Sequence, residues 1–335
     1  MTSDRFRQIS QSYSSLTIGV VGDYCLDRYL EIDPSRAETS IETGLPVYNI
    51  ERVRPQPGAA GTILNNLVAL GVGTIVPVGF RGDDGEGYEL ERALQTLPGV
   101  ELDFFITSRQ RKTFTYTKPL LVQAGCAPRE LNRLDTKNWT PTPDSVSEQI
   151  ALFTNEVLHK CDAVIVLDQV DTPDTGVVTP HVLAALRRHG ANRLVIADSR
   201  RGLADFPPCL FKMNATELAR LCNSTKPLAL DSIPTEAAAL ARRNGKPAVV
   251  TMAEHGLLGA LPSGAIYSTP ALPLRGEIDI VGAGDSVTAN LATALAAGAT
   301  LGEALHMAAL ASSVVIHQLG TSGAASPAQM LQLLE

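Results

Sequence analysis

SEQIALFTNEVLHKCDAVIVLD (Ser147–Asp168), HVLAALRRHG (His181–Gly190) and NRLVIADS (Asn192–Ser199) set the architecture. The first stretch spaces its apolar residues as a helix does, then closes on an unbroken apolar run ending in Asp168. The second is helical and stops at Gly190; the third is another apolar run, ending in Asp198 and Ser199. Helices alternating with short continuous apolar strands predict an α/β fold, doubly wound, with a sheet covered on both faces. Downstream, LFKMN (Leu210–Asn214) reads as a strand, and ATELARLC (Ala215–Cys222) and PTEAAALARRNG (Pro234–Gly245) as helices. PAVVTMAEHGLLGAL (Pro247–Leu261) reads as a strand pair around a glycine turn, and two long helices rich in small residues follow, VTANLATALAAG and LGEALHMAALASSVVIHQLG.

Upstream, LTIGVVGDYCLDRYLEI (Leu16–Ile32) predicts a buried first strand cut by Gly22, with a functional loop after it. Residues 1–15 read as a tail or a surface helix, and residues 16–335 as one large domain. PGAAGTILNNLVALG (Pro57–Gly71) begins with small residues and ends as a helix stopped by Gly71. TIVPVGF and the following GDDGEGYELERALQTL form a further βα unit. Residues 24–56 and 105–123, with β-branched and aromatic alternation, are expected to build a small sheet that acts as a lid. Arg109, Arg111, Lys112 and Lys118 lie in the second segment, where they read either as a charge-protected sheet edge or as a basic lid over an anionic substrate.

The formal net charge of −7 argues against a nucleic-acid surface, while leaving room for local phosphate sites. Five cysteines without a C-x-x-C pair read as reduced thiols, and the polar N-terminus lacks a signal-peptide pattern, so a cytoplasmic location is expected. No apolar run is long enough to cross a bilayer. The chain has no P-loop, no G-x-G-x-x-G after the first strand, no H-E-x-x-H and no G-x-S-x-G.

The chemistry concentrates in EIDIVGAGDSVTANLATAL (Glu277–Leu295). Gly282, Ala283 and Gly284 form a compact turn leading into a helix, where backbone N–H groups and the helix N-terminus can hold an anion. Asp285, in the first turn, can take the proton of a hydroxyl that attacks a phosphoryl group. The same four residues also suit a plain turn with Asp285 as a cap. Ligands in such folds bind beyond the C-terminal strand ends, where Asp23, Asp27, Asp168, Asp198, Asn214 and Glu217 fall.

The motifs resemble, over residues 16–330, the ribokinase-like (PfkB) family of carbohydrate kinases. The blocks are VVGDYCLDRY, PGAAGTILNNLVALG, VGFRGDDGEG, ADSRRG, KMNATELA, DIVGAGDSVTANL and HQLGTSGAASPAQM, in that order. The resemblance implies a three-layer α/β/α fold with a small β-sheet lid, ATP and Mg²⁺ as cofactors, and a homodimer formed through the lid. It implies Asp285 as catalytic base beside the Gly282–Gly284 anion hole, and Asp27, Gly58 and Asn66 at the sugar, with Arg109 and Lys118 facing its phosphate. It places Asn214 and Glu217 near the phosphates and magnesium, Gly320 and Gly323 at the adenine, and Asp279 beside a potassium site. Within the family, GDYCLDRY, the T-Y-T-K stretch running to NRLD, and GTSGAASPAQM resemble the heptose-7-phosphate kinase domain of bacterial ADP-heptose synthesis. The sequence departs from the family pattern at Val281, Ala59 and Thr62, where Thr, Gly and Asn are usual, and in SRRG (Ser199–Gly202), where heptose kinases favour a Pro-Lys pair. The expected activity is ATP-dependent phosphorylation of a sugar or sugar phosphate. The alternatives are another sugar or a nucleoside as acceptor, or a non-catalytic sugar- or nucleotide-binding sensor of the same fold.

Overall fold

The computed structural model describes residues 1–335 except Ala124 and Thr225. The chain opens with α1 (Ser3–Ser10), whose Thr2 cap accepts the Arg5 N–H and whose Phe6 and Ile9 are buried in the core. Residues 1–15 are therefore not a free tail; Phe6 and Ile9, one helical turn apart, and Tyr13 beyond the helix dock them. After β1 (Thr17–Gly22) a single residue, Asp23, precedes β2 (Tyr24–Ile32). The functional loop expected here does not exist, and Asp27 sits in a strand. Next come β3 (Glu38–Thr39) and β4 (Pro46–Val47), which pair with each other, and β5 (Ile50–Ala59), antiparallel to β2. Then follow α2 (Ala60–Leu70), stopped by Gly71 at φ +81°, and β6 (Thr74–Gly82). Helix α3 (Gly85–Gln95) is capped by Asp84, which accepts the Gly87 N–H at 2.8 Å.

β7 (Phe105–Ser108) runs parallel to β6 and closes one edge of the large sheet. The lid boundary expected at residue 105 is thereby corrected: the small sheet resumes only at β8 (Phe114–Leu121), parallel to β2. It continues beyond the expected limit into β9 (Arg129–Glu130) and β10 (Leu134–Thr136), both antiparallel to β8. The remainder alternates as the apolar runs predict. It comprises α4 (Asp144–Lys160), β11 (Ala163–Asp168), α5 (Pro180–His189), β12 (Val195–Ser199), β13 (Leu210–Asn214), α6 (Ala215–Leu221), α7 (Ile233–Asn244) and β14 (Ala248–Thr251). β15 (Leu257–Ala260) and β16 (Ile266–Thr269) turn back antiparallel before α8 (Ala283–Ala296), α9 (Leu301–Val315) and α10 (Pro327–Leu334).

The large sheet has nine strands in the order β16-β15-β14-β13-β12-β11-β1-β6-β7. Strand residues alternate between two cores. Ile18, Val20, Ile165 and Val249 meet α1, α2, α8, α9 and α10 on one face. Val21, Val164, Val166 and Val250 meet α4, α5, α6 and α7 on the other. Both faces are covered, which is why the strands read as unbroken apolar runs. Truncating a fully buried side chain such as Ile165 to Ala costs about 2–5 kcal/mol. The antiparallel β15–β16 edge departs from a purely parallel sheet, since a short glycine turn at Gly256, φ +86°, joins β14 to β15 without a crossover helix.

Candidate active site

The polypeptide leaves the C-terminal end of β1 directly into the small sheet, so that sheet stands beside the loops following β11, β12 and β13. The N-terminus of α8 lies over the same strand ends, where Thr288 donates to Asp198 at 3.2 Å; the space between it and the small sheet is the candidate cleft. Gly282 caps α8 with φ +81°, and a side chain there would lie 3.5 Å from Thr62 Cγ2 and 3.6 Å from Ser322. This left-handed position favours glycine. The Ala283 N–H donates to the Ile280 carbonyl at 3.2 Å, so it is not free for an anion as expected. Among the described residues, no acceptor meets the Gly284 and Asp285 N–H groups. These two donors at the positive end of a helix dipole remain available.

Asp285 is partly buried in this first turn. Burial, the largest cause, pushes its pKa up to about 7. Asp198 and Asp27 add to that rise, while Lys212 and Arg200 oppose it. The Lys212 ammonium is buried, 2.6 Å from Asp198 Oδ2, which also accepts from the Thr288 hydroxyl at 3.2 Å. Burial disfavours the charged lysine, but Asp198, Asp285 and Glu217 outweigh it and hold its pKa above the ordinary value. A side chain on Gly284 would start 3.1 Å from Lys212 Nζ, so this lysine lies directly beneath the turn. Lys212 is a site residue that the sequence reading missed. Its signal was a lysine inside the apolar run of a central strand, a place where an unpaired charge is too costly.

Across the cleft, Asp27 in β2 is 9% exposed and pairs with Lys118 Nζ of β8 at 3.0 Å. Burial opposes the Lys118 charge, but Asp27 and Tyr29 prevail and raise its pKa. Lys118 also lies 4.9 Å from the centre of the Tyr29 ring, a cation–π contact. In the parallel β2–β8 register Asp27 is opposite Tyr116, and Tyr29 opposite Lys118, so all four share one face. Gly58 supports this face from β5: a side chain there would strike Asp27 Oδ2 and Cys25 Sγ at 2.7 Å. Its part is to make room for Asp27.

Other expected site residues are placed differently. Asn66 is fully buried and donates to the carbonyls of Thr62 at 2.9 Å and Gly323 at 3.3 Å. It anchors the segment before α10 and offers no face to a substrate. Arg109 is exposed and reaches Asp83 at 3.1 Å, apart from the Asp27–Lys118 pair. Asp23 accepts the N–H groups of Gln169, Val170 and Val177, tying β1 to the loop after β11, and Asp168 binds Ser199 and Arg201. Burial pushes both carboxyl groups upward. Asn214 and Glu217 form a reciprocal capping box at α6, with bonds of 2.9 and 2.7 Å.

Asp279 uses one oxygen for the Val281 N–H at 3.0 Å and the other for the Gly320 N–H at 3.3 Å. It staples the turn before α8 to the segment carrying Gly320 and Gly323. Among the described residues, no group of three or more His, Cys, Asp and Glu side chains gathers to hold an ion. Glu217 alone, with one oxygen already used by the Asn214 N–H, suits Mg²⁺ only as a single contact. Such a Mg²⁺ would take its other oxygens from phosphates and water. Among the described residues, no helix is long and apolar enough to cross a membrane.

Free N–H donors at a helix start, beside a carboxyl group and a buried lysine, are groups that can hold an anion next to a proton acceptor. The pfkB family carbohydrate kinase model matches residues 24–329, and the chain belongs to this family. The bifunctional protein HldE of Gluconacetobacter diazotrophicus is 31% identical over 320 residues, covering 93% of this chain and 62% of that protein. The bifunctional protein HldE of Caulobacter sp. strain K31 is 31% identical over 325 residues, covering 95% and 63%. The chain thus spans a little under two thirds of the length of these relatives. Among solved structures, Arabidopsis thaliana ribokinase complexed with ribose and ATP has a TM-score of 0.67 at 20% identity, covering 96% of this chain and 99% of that one. Escherichia coli phosphofructokinase-2 in complex with potassium has a TM-score of 0.71 at 16% identity, covering 95% and 98%. At such identities the likeness is one of fold.

Proposed function

We propose that the chain transfers the γ-phosphoryl group of ATP to a hydroxyl of a sugar phosphate, with heptose 7-phosphate as the acceptor. The observation that carries this reading is Asp285 in the first turn of α8, beside the free Gly284 and Asp285 N–H groups and above the buried Lys212–Asp198 pair, with burial pushing its pKa up to about 7. A base so tuned is ionised in half of the molecules near neutrality and still binds a proton well. Asp27, held by Lys118, orients the sugar. Asp285 accepts the hydroxyl proton as the new O–P bond forms and the bond to the β-phosphate oxygen breaks, releasing ADP. The Gly284 and Asp285 N–H groups stabilise charge on the moving group, and Lys212 adds positive charge beneath them. Mg²⁺, touched by Glu217, would neutralise the β- and γ-phosphates.

The heptose assignment is supported by the motif resemblance and by the similarity to HldE proteins. Potassium activation is supported by the phosphofructokinase-2 fold neighbour and by the loops that Asp279 joins. Dimerisation through the small sheet is supported by exposed Ile41, Leu45, Tyr48 and Ile50 in and around β4 and β5. The deciding experiment measures ATP consumption with magnesium and potassium over a panel of sugars and sugar phosphates, with Asp285→Asn as control. Turnover of heptose 7-phosphate that disappears in Asp285→Asn is expected. Turnover of a different sugar alone removes the heptose assignment. Silence across the panel, with ATP still bound, overturns the kinase reading.

A further inference from the structure

A phosphorylated acceptor needs cations for its own phosphate, separate from the groups that meet ATP. The basic residues expected for that task are committed elsewhere. Arg111 is buried and donates to the carbonyls of Thr140 at 2.9 Å, Pro141 at 3.2 Å and Thr175 at 2.6 Å. Arg109 points into solvent against Asp83, and Lys118 is held by Asp27.

A different cluster stands at the cleft rim. Lys137 directly follows β10 of the small sheet, Asp171 lies in the loop after β11, and Arg200 directly follows β12. Lys137 Nζ is 3.0 Å from one Asp171 oxygen, and an Arg200 nitrogen is 3.5 Å from the other. One carboxylate thus faces two cations, leaving net positive charge. The Arg200 N–H donates to the Asp168 carbonyl at 2.9 Å, which fixes its backbone at the strand end, while its side chain is 55% exposed. The long, solvated Arg200–Asp171 contact is of the weak kind that a better anion can replace. The cluster borders the proposed catalytic site: Arg200 lies two residues beyond Asp198, the partner of Lys212, and Lys137 directly follows β10, which pairs with β8 where Tyr116 is the register partner of Asp27.

Resting on the sugar-phosphate kinase reading, we propose that Lys137 and Arg200 form the receptor for a phosphomonoester at the far end of the acceptor sugar, with Asp171 as the internal anion that the phosphate displaces. A guanidinium fork matches two phosphate oxygens, and an ammonium supplies a third, mobile contact. A dianion gains more from the pair than a single carboxylate does. Because Lys137 comes from the small sheet and Arg200 from the large one, a bound phosphate would also hold the two sheets together.

The test titrates inorganic phosphate into the full chain with the nucleotide site filled by Mg²⁺ and a non-hydrolysable ATP analogue. Wild type is expected to bind phosphate, and Arg200→Gln and Lys137→Gln to bind it about tenfold more weakly or worse. Asp171→Asn is expected to bind it more tightly, because a competitor is gone. A merely structural ion triad predicts the opposite sign for Asp171→Asn. Equal phosphate binding in all four proteins, none in wild type, or weakening in Asp171→Asn would each overturn the site. In kinetics, Arg200→Gln is expected to raise KM for the phosphorylated acceptor more than it lowers kcat, and an unchanged KM counts against the proposal. If no acceptor is turned over by wild type, the kinase reading fails, while the phosphate titration still decides the receptor.

Discussion

Lys212 lies tightly against the space that a side chain on Gly284 would enter: its Nζ is 3.1 Å from the position of a Gly284 Cβ, and 2.6 Å from Asp198 Oδ2. The glycine in the turn and the lysine in β13 are therefore one device. A side chain at position 284 would press on the lysine tip, which would have to give by a few tenths of an ångström.

Gly284→Ala is expected to leave stability nearly unchanged, within about 1 kcal/mol, since alanine favours a helix and the far end of a lysine can yield. The displaced ammonium and crowded N–H should lower kcat by about tenfold or more. Urea unfolding beside steady-state kinetics checks both. A kcat equal to wild type would show that Lys212 does not assist transfer.

Asp285 must be ionised to act as base. With a pKa of about 7, kcat/KM should climb tenfold per pH unit below that value and level off above it. Asp285→Asn should lower kcat by about 10²–10⁴-fold. Lys212→Met removes the charge that opposes the upward shift, so its profile should move to higher pH. A pH-independent rate between 5 and 8 would exclude Asp285 as the titrating base.

The same shift has a stability consequence. The folded pKa of Asp285 is above its unfolded value, so its contribution is complete below the unfolded pKa near 4 and is lost as pH rises through about 7. Asp285→Asn, which never ionises, should be more resistant to unfolding than wild type at pH 8, and the gap should close at pH 4. Thermal melts at both values measure this; no gap at pH 8 would mean the carboxylate is well solvated.

Lys118→Met would leave Asp27 buried without its cation. A loss of about 1.5–3 kcal/mol is expected, together with a raised KM for the sugar and little change in KM for ATP. Denaturant curves and acceptor titrations separate the two effects.

Ala59 holds φ +53° and ψ −118° at the start of α2, a conformation that suits glycine. Ala59→Gly should relieve strain of about 1–3 kcal/mol, partly offset by the greater freedom of glycine in the unfolded chain. A higher urea midpoint is the expected result; a lower one would show that the alanine methyl is packed rather than strained.

The apolar runs ending in Asp168 and Ser199 determined the covered sheet, because a strand buried on both faces cannot alternate polar and apolar residues. Gly282-Ala283-Gly284-Asp285 likewise announced a helix start with a carboxyl group in its first turn, since glycine and first-turn acids act locally. Only the tertiary structure decided which charges meet. Sequence could not separate Arg109, held in solvent by Asp83, from Arg200, carried to the cleft rim by the strand order. It could not show that Asn66 is an internal anchor, that β7 joins the large sheet, or that Lys212 lies under Gly284. Those facts depend on contacts between segments far apart in the chain, and a carboxyl group's pKa is set by its surroundings in space, not by its neighbours in sequence.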